Sequence, residues 1–163
     1  MLVGVVSDTH NNLKNIKQII SIFNERNVDS VIHTGDVTTA KSLAEFSGLK
    51  CDLFLVYGNN DRGESGLDKV AEKFGFYIQE PPMKIFMHKK NIAVFHEPEL
   101  IDQFLKINEN TQLVLHGHTH RFREESFNDT LIFNPGESAG MLNGKNAVGI
   151  VNLEDLSIQR IFF

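Results

Sequence analysis

Three histidines at alternate positions follow a short apolar run near residue 115. The run is Leu113–Leu115, and the segment His116-Gly-His-Thr-His120 follows it directly. If the run is a buried strand, its period of two places His118 and His120 on one side as the chain leaves the sheet. Neutral imidazole is the commonest metal ligand in proteins, so a cation is the natural object for both rings. On its own, the pattern also fits a solvated turn. A metal site would need further ligands from elsewhere in the chain.

Four other apolar runs are followed by a metal-capable side chain. The runs begin near residues 2, 30, 53 and 92. The side chains that follow them are those of Asp8 with His10, Asp36, Asn59 and His96. A single aspartate after a strand is normally a turn residue or a helix cap. Because ligands bind outside the carboxyl ends of strands in open α/β sheets, five such strand ends predict one common site.

The ligand set has a definite chemical character. Its imidazoles, two carboxylates and one amide oxygen are too many for one ion and suit two adjacent ions. Nitrogen and oxygen ligands without thiolate favour manganese, iron, zinc or nickel over calcium. A carboxylate shared between two ions roughly 3.5–4 Å apart is the usual device of two-metal hydrolases.

The elements that position these residues follow from hydrophobic periodicity. The first half alternates short apolar runs with helical spacing, which favours a parallel sheet with right-handed crossovers. Its predicted strands are 2–7, 30–33 and 53–57, and its predicted helices start at Leu13, span about Ala40–Phe46 and include Leu67 to Phe74. The second half is β-rich, with hairpins at 83–95 and 147–162 and a helix near 100–107. We therefore predict two packed sheets with helices outside.

The ordered motifs resemble those of the calcineurin-like metallophosphoesterases. They are Asp8-x-His10, Gly35-Asp36, Gly58-Asn59-Asn60-Asp61 and Gly117-His118-x-His120. The chain length and the Asn134-Pro-Gly-Glu137 loop are similar to those of the small phosphodiesterase branch of bacteria and archaea. The resemblance implies an α/β (α+β) fold, a two-sheet β-sandwich flanked by helices in four layers, as a single domain over residues 1–163.

The resemblance also implies a site and a reaction. One metal would take Asp8, His10, Asp36 and His120, and the other would take Asp36, Asn59, His96 and His118, with Asp36 bridging. The expected enzyme is a hydrolase of phosphoric esters, a phosphodiesterase that uses hydroxide activated between two divalent ions. Manganese is the expected metal, with nickel, iron, zinc or magnesium as alternatives, and a small phosphodiester is the expected substrate.

Two positions depart from the family pattern. Phe95 precedes His96 where the family usually has glycine, and His88 is the rival ligand, although it lies in the middle of a predicted hairpin. Asn60 stands where many members have a histidine thought to assist the leaving group. An amide cannot serve as a general acid. We therefore expect activity on activated aryl diesters and weak activity on alkyl monoesters.

Asn60 and Asp61 are the candidate catalytic residues beyond the ligands. Asn60 is expected either to bond a phosphate oxygen or to satisfy its own backbone in a turn, and Asp61 to orient other groups. His33 and His116 are expected to be core histidines, and His116 could orient a ligand imidazole. The remaining acids near these motifs are expected to have structural roles. We expect Glu97 and Glu99 to lie at a helix N-terminus and Glu137 to lie in a loop. Substrate choice is expected to depend on loops 62–65, 97–100 and 136–144.

Composition limits the remaining classes. The chain has 163 residues and a net charge of −5, without a basic cluster, so no stable nucleic-acid partner is expected. No apolar run approaches the roughly 20 residues of a membrane span. One cysteine, and an N-terminus without the pattern of a signal peptide, predict a reducing cytoplasm. The sequence leaves open whether the chain forms a homo-oligomer.

The main alternative is a non-catalytic metal-binding scaffold on the same fold, since fold does not determine function. A metal-dependent amidohydrolase would need a barrel-sized chain. A nucleotide-binding module would need a glycine-rich phosphate loop after the first strand, and none follows it.

Overall fold

The computed structural model describes residues 1–141 and 145–163, so the predicted substrate loop 136–144 is described only through residue 141. Within these ranges there are eleven strands: β1 Leu2–Val6, β2 Ser30–His33, β3 Asp52–Val56, β4 Tyr77–Gln79, β5 Met83–Met87, β6 Lys90–Val94, β7 Leu113–Leu115, β8 Arg123–Phe127, β9 Thr130–Asn134, β10 Ala147–Asn152 and β11 Ile158–Phe162. The α-helices are α1 Leu13–Glu25, α2 Ala40–Glu45, α3 Leu67–Phe74 and α4 Ile101–Ile107, and the short 3-10 helices are Phe46–Gly48 and Pro98–Leu100.

The strands form two mixed sheets. The first has the order β11-β10-β1-β2-β3-β4, in which β1 to β4 are parallel and β10 runs antiparallel to β1. The second has the order β5-β6-β7-β9-β8, with β6, β7 and β9 parallel between two antiparallel edge strands. The predicted parallel first half and β-rich second half are confirmed.

Alternation along the strands produces four layers. In β1, Val3 and Val5 pack between the two sheets, whereas Val6 packs against the helices on the outer face of the first sheet. In β7, Leu113 and Leu115 join the layer between the sheets, and Val114 packs toward α4 on the outer face of the second sheet. Both faces of these central strands are therefore buried, which explains why their sequences read as continuous apolar runs.

Local signals place the helix ends. The Asn12 side chain accepts a hydrogen bond from the Asn15 N–H at 3.1 Å, as its predicted role as the N-cap of α1 requires. Gly75 ends α3 in the left-handed region at φ 73°. The short strand β4 was not predicted, because its three residues carry little pattern of their own and pair only with β3. No helix among the described residues has the length and apolarity to cross a bilayer.

Candidate metal centre

The loops that follow five parallel strands meet at one edge of the sandwich. Backbone hydrogen bonds continue beyond the strand ends: the Asp8 N–H donates to the Gly35 carbonyl at 3.1 Å, and the His10 N–H donates to the Asp36 carbonyl at 2.8 Å. In the second sheet, the Gly117 N–H donates to the His96 carbonyl at 3.1 Å. Backbone hydrogen bonds in both sheets therefore fix the positions of the Cα atoms from which the site side chains project.

Several site residues adopt a backbone conformation that side chains rarely take. Left-handed φ values of 44–67° occur at Asp8, His10, Asp36, His118 and His120. Such conformations cost about 1–3 kcal/mol each and persist only where the surrounding structure imposes them. Together with Thr38, they are six of the eleven such non-glycine residues in the described part of the chain, so strained backbone is concentrated at this edge.

Asp36 lies at the centre of the cluster and is 2% exposed. Its Oδ2 is 3.5 Å from His96 Nε2 and 4.0 Å from His10 Nε2. Asn60 donates to it twice, from the backbone N–H to Oδ1 at 2.9 Å and from the side-chain amide to Oδ2 at 2.7 Å. Burial opposes ionisation of Asp36, but its contact with His96 and the Asn60 hydrogen bonds outweigh burial and hold the pKa of this carboxyl below its ordinary range.

Asp8 occupies the other side of the cluster and is fully buried. Its Oδ2 accepts hydrogen bonds from the Ser7 hydroxyl and, at 3.1 Å, from the His118 N–H. Its Oδ1 is 3.5 Å from His120 Nε2. Burial raises the pKa of Asp8 and outweighs the opposing effects of the Ser7 hydrogen bond and the neighbouring imidazoles. Among the described residues, neither Asp8 Oδ1 nor the buried His10 Nε2 has a hydrogen-bond partner.

His96 shows how the site is prepared for a cation. Its Nδ1 lies 2.8 Å from the Thr34 carbonyl, which can only accept, so this nitrogen carries the proton. In the neutral ring, the lone pair on Nε2 then faces two further acceptors, Asn59 Oδ1 at 3.0 Å and Asp36 Oδ2 at 3.5 Å. His118 Nδ1 is 2.9 Å from the same Asn59 oxygen. Burial opposes a charged ring, but the hydrogen bond and the charge of Asp36 outweigh burial and raise the pKa of His96. A cation bound among these acceptors would take the place of that extra proton.

The carboxylate of Asp61 holds the loops in place. It accepts the backbone N–H groups of Asp36 at 2.7 Å, Thr38 at 2.6 Å and Gly58 at 2.8 Å. Gly58 must lack a side chain, because a Cβ there would come within 2.1 Å of Asp36 Oδ1. Asp61 therefore orients the loop that carries Asp36, as expected from the sequence.

The donor atoms fit a divalent cation in chemistry and spacing. In each of two overlapping groups, the donor atoms lie within 4.8 Å of one another: Asp8, His10 and His120, and Asp8, Asp36 and His96. Both groups combine imidazole nitrogen with carboxylate oxygen, a set that suits transition metals better than calcium. The unpartnered Asp8 Oδ1 and His10 Nε2 belong to the first group.

The comparisons with known proteins agree with this geometry. A model of the calcineurin-like phosphoesterase superfamily domain matches residues 1–156. The chain belongs to the calcineurin-like phosphoesterase superfamily. Phosphodiesterase MJ0936 of Methanocaldococcus jannaschii is 32% identical over 99% of this chain and 98% of that protein. The solved structure of an archaeal phosphodiesterase is 31% identical, covers 100% of both chains and gives a TM-score of 0.91. The E. coli phosphoesterase YfcE, 20% identical with a TM-score of 0.68 over 99% and 98% of the two chains, shares the fold.

Phosphoesterases of this superfamily are metal-dependent. The structure brings together all nine sequence-predicted site residues: Asp8, His10, Asp36, Asn59, Asn60, Asp61, His96, His118 and His120. The rival His88 instead lies exposed in the turn between β5 and β6. Which of these residues bind metal stays a prediction.

Asn60 does not satisfy its own backbone in a turn, because its side-chain amide donates to Asp36 Oδ2. Its expected bond to a phosphate oxygen stays a prediction. Glu97 lies at the N-terminus of the 3-10 helix Pro98–Leu100, as expected, but its side chain makes no capping hydrogen bond. Its carboxylate instead pairs with both terminal nitrogens of Arg62 at 2.8 and 3.4 Å. Because Arg62 follows Asp61 and Glu97 follows His96, this ion pair joins two site loops.

Sequence reasoning missed the position of Glu137. It lies in a loop as expected, but it is only 1% exposed and its Oε2 is 3.8 Å from His120 Nδ1. The same carboxylate oxygen accepts the Met141 N–H at 3.1 Å. The available signal was the Asn134-Pro-Gly-Glu137 segment, which was used only to identify the family branch.

The two remaining histidines are buried, as expected. Burial lowers the pKa of His33 to about 3 and that of His116 to about 4, so both rings are neutral near pH 7. His33 Nδ1 accepts the Gly35 N–H at 3.1 Å, so its Nε2 carries the proton that bonds Thr9 Oγ1 at 2.9 Å. His116 Nδ1 donates to the Gly117 carbonyl at 3.1 Å and not to a ligand imidazole.

Proposed function

We propose that this phosphoesterase is a phosphodiesterase that works with two divalent cations. The observation that carries the proposal is the pair of buried atoms without hydrogen-bond partners, Asp8 Oδ1 and His10 Nε2, close to the carboxylate of Asp36 and the imidazole of His120. The name of the 32% identical relative, a phosphodiesterase, supports the choice of diester over monoester. The proposed domain is residues 1–163, and the proposed ligands are those that the sequence resemblance implied: Asp8, His10, Asp36, Asn59, His96, His118 and His120.

The chain's own residues have distinct tasks in this proposal. When bound, the cations supply Lewis acidity, so that water loses a proton near neutral pH and charge on the phosphoryl oxygens is neutralised. The Thr34 carbonyl keeps the proton of His96 on Nδ1 and leaves Nε2 free for a cation. Asn60 orients the Asp36 carboxylate, and Asp61 orients its backbone. Manganese is the proposed metal, because the mixed nitrogen and oxygen ligands suit it.

The leaving group receives no proton from residue 60. The Asn60 amide has no ionisable proton and is engaged with Asp36. Diesters whose leaving groups have a low pKa should therefore react much faster than alkyl diesters. A series of aryl diesters of graded leaving-group pKa measures this, and a flat dependence would contradict the proposal. Asn60→His should make the dependence shallower if its ring reaches the leaving oxygen.

The test of function combines metal analysis with turnover. Untreated protein should contain a divalent transition metal, and manganese-supplemented protein should hydrolyse bis(p-nitrophenyl) phosphate. Asp36→Asn should lower kcat/KM by at least about 100-fold, because even residues behind the ligands of metal sites are worth 10–100-fold. The matched control is Asp129→Asn, in the exposed turn between β8 and β9.

Two results would count against the proposal. Unchanged turnover in a folded Asp36→Asn variant would place the activity elsewhere. An absence of turnover with manganese, nickel, iron, zinc and magnesium alike would favour the non-catalytic scaffold.

A further inference from the structure

A groove opens beside the candidate metal centre, and the proposed reaction does not account for it. Its volume is about 660 Å³, which is within the range of small-molecule sites. His118 lines the groove and also contacts Asn59, so the groove and the site share a side chain. The rest of the lining comes from the 3-10 helix after β6, with Glu99, from the loop between β7 and β8, with Arg121 and Phe122, and from β8 itself, with Arg123 and Glu125.

Two charged side chains in this groove are available to a ligand. Arg121 and Glu99 are exposed, and the structure gives neither side chain a hydrogen bond or ion pair within the described residues. By contrast, Arg123 already pairs with Glu125 and approaches His116 Nε2 at 3.5 Å. The groove therefore offers one free donor and one free acceptor beside a neutralised pair.

Phe122 supplies an aromatic surface held in position by its neighbours. Phe122 is 45% exposed. The Arg160 guanidinium carbon lies 4.5 Å from its centroid, and Phe133 meets it edge-on at 6.4 Å between centroids. Arg160 covers part of the ring, and a flat ligand can stack on the part that stays exposed. The neighbouring Arg121 guanidinium offers a second plane of the kind on which nucleic-acid bases stack.

The lining discriminates among the groups that a diester could carry. An alkyl chain would bury the charges of Arg121 and Glu99 without partners, which is unfavourable. A second phosphate would meet Glu99 and Glu125, and one of the two arginines is already paired. A heteroaromatic base attached to a hydroxylated sugar matches all three features, because it can stack on Phe122, accept from Arg121 and donate hydroxyl hydrogens to Glu99.

We propose that this groove binds the nucleoside part of a nucleotide diester whose phosphate lies at the metal centre. The inference rests on the proposed function and adds a substrate class to it. It assigns base stacking to Phe122 and base hydrogen bonding to Arg121, and neither residue was selected from the sequence.

Calorimetry with the full chain and manganese tests the groove without requiring turnover. The probes are adenosine 5′-monophosphate and ribose 5-phosphate, which differ only in the base. We expect the nucleotide to bind roughly tenfold more tightly, in line with a single stacking contact. Phe122→Leu should reduce that preference to within about twofold, and Arg121→Gln should reduce it by a smaller factor, because it removes a hydrogen bond but leaves the stacking surface. The control is Arg26→Gln, which removes an exposed arginine that bonds Gln159 away from this groove and should keep the full preference.

Three results would overturn the inference: equal affinities of the two ligands, no measurable nucleotide binding, or a preference that survives both groove variants. Turnover of methyl p-nitrophenyl phosphate, which has no base, tests the proposed function separately. Turnover without a preference for the base would refute nucleoside binding in the groove but leave the proposed phosphodiesterase activity standing. A preference for the base without turnover of any diester would support nucleoside binding in the groove but refute the proposed phosphodiesterase activity.

Discussion

The two ends of the sandwich contain different kinds of cavity. At the amino ends of β6 and β7, a cavity of about 430 Å³ has paired polar groups: Asn91 Nδ2 donates to the Asn110 carbonyl at 2.8 Å, and Lys84 Nζ donates to Asn108 Oδ1 at 2.9 Å. At the carboxyl ends, the loops after β1 and β2 contain three buried atoms without hydrogen-bond partners, Asp8 Oδ1, His10 Nε2 and Thr34 Oγ1, and among the described residues Asn146 Oδ1, just before β10, is a fourth. Buried polar atoms are nearly always paired, so these atoms fit a place for a bound cation or an ordered water, whereas cavity volume alone indicates neither.

The largest expected effect follows from changing the Asp61 carboxylate, which holds together the loops at the carboxyl ends of β2 and β3. Asp61→Asn removes the charge that accepts three backbone N–H groups. We expect the free energy of unfolding to fall by about 3 kcal/mol, because buried hydrogen bonds to charged groups are among the strongest. Urea unfolding measures this. Asn91→Ala, at the opposite end, should cost about 1 kcal/mol or less, and equal losses at the two ends would remove the contrast.

Metal binding should stabilise the protein through one end only. Manganese at 100 times its dissociation constant should add about 2.7 kcal/mol of stability by mass action and raise Tm. Asp8→Asn should abolish this rise, since Asp8 belongs to both donor groups. Glu109→Gln, in the cavity at the opposite end, should retain it. A rise in Tm that persists in Asp8→Asn would place the metal elsewhere.

Acid should destabilise the protein partly through His33. Its pKa is about 3 when folded, so the unfolded chain takes up a proton that the folded chain does not once the pH falls below the ordinary histidine pKa of about 6.5. The contribution is fully present above about pH 6.5 and is lost toward pH 3, at roughly 1.4 kcal/mol per pH unit. Between pH 6.5 and 5, this amounts to about 2 kcal/mol.

Urea unfolding with a chelator present, compared at about pH 5 and 7.5, measures this dependence. His33→Asn should flatten it, since asparagine does not titrate. His88→Asn, in the exposed turn between β5 and β6, is the control and should keep the wild-type dependence. An unchanged slope in His33→Asn would show that other groups cause the acid sensitivity.

The smallest effect on stability is expected at the ion pair between the site loops. Arg62 and Glu97 are 43% and 28% exposed, so Arg62→Gln should cost less than about 1 kcal/mol. Because the pair joins the loops of Asn59 and His96, the same variant should weaken manganese binding measurably. Calorimetric titration checks this, with Lys84→Gln as the control at the opposite end. An unchanged manganese affinity would show that the Arg62–Glu97 ion pair does not contribute to metal binding.

Much of the fold was predictable because its central strands are buried on both faces. Continuous apolar runs at β1, β2 and β3 then predict strands without knowledge of their partners. Polar residues directly after those runs predicted the edge at which Asp8, Asp36 and Asn59 meet, since parallel strands end together. The strand β4 escaped prediction because three residues are too short for a pattern and its pairing with β3 is a tertiary event.

The sequence by itself determined which residue types leave the strand ends and in what order. Periodicity and spacing are properties of the chain, so Asp8, Asp36, Asn59, His96 and His118 could be selected from them. Only the tertiary structure decided which atoms face one another: the proton of His96 on Nδ1, the Asn60 amide on Asp36, and Glu137 beside His120. The His96 contact with Thr34 crosses between the two sheets, whereas the other two contacts join loops that follow neighbouring strands, β2 with β3 and β7 with β9. All three depend on sheet packing or strand pairing between segments distant along the chain, which no local pattern encodes.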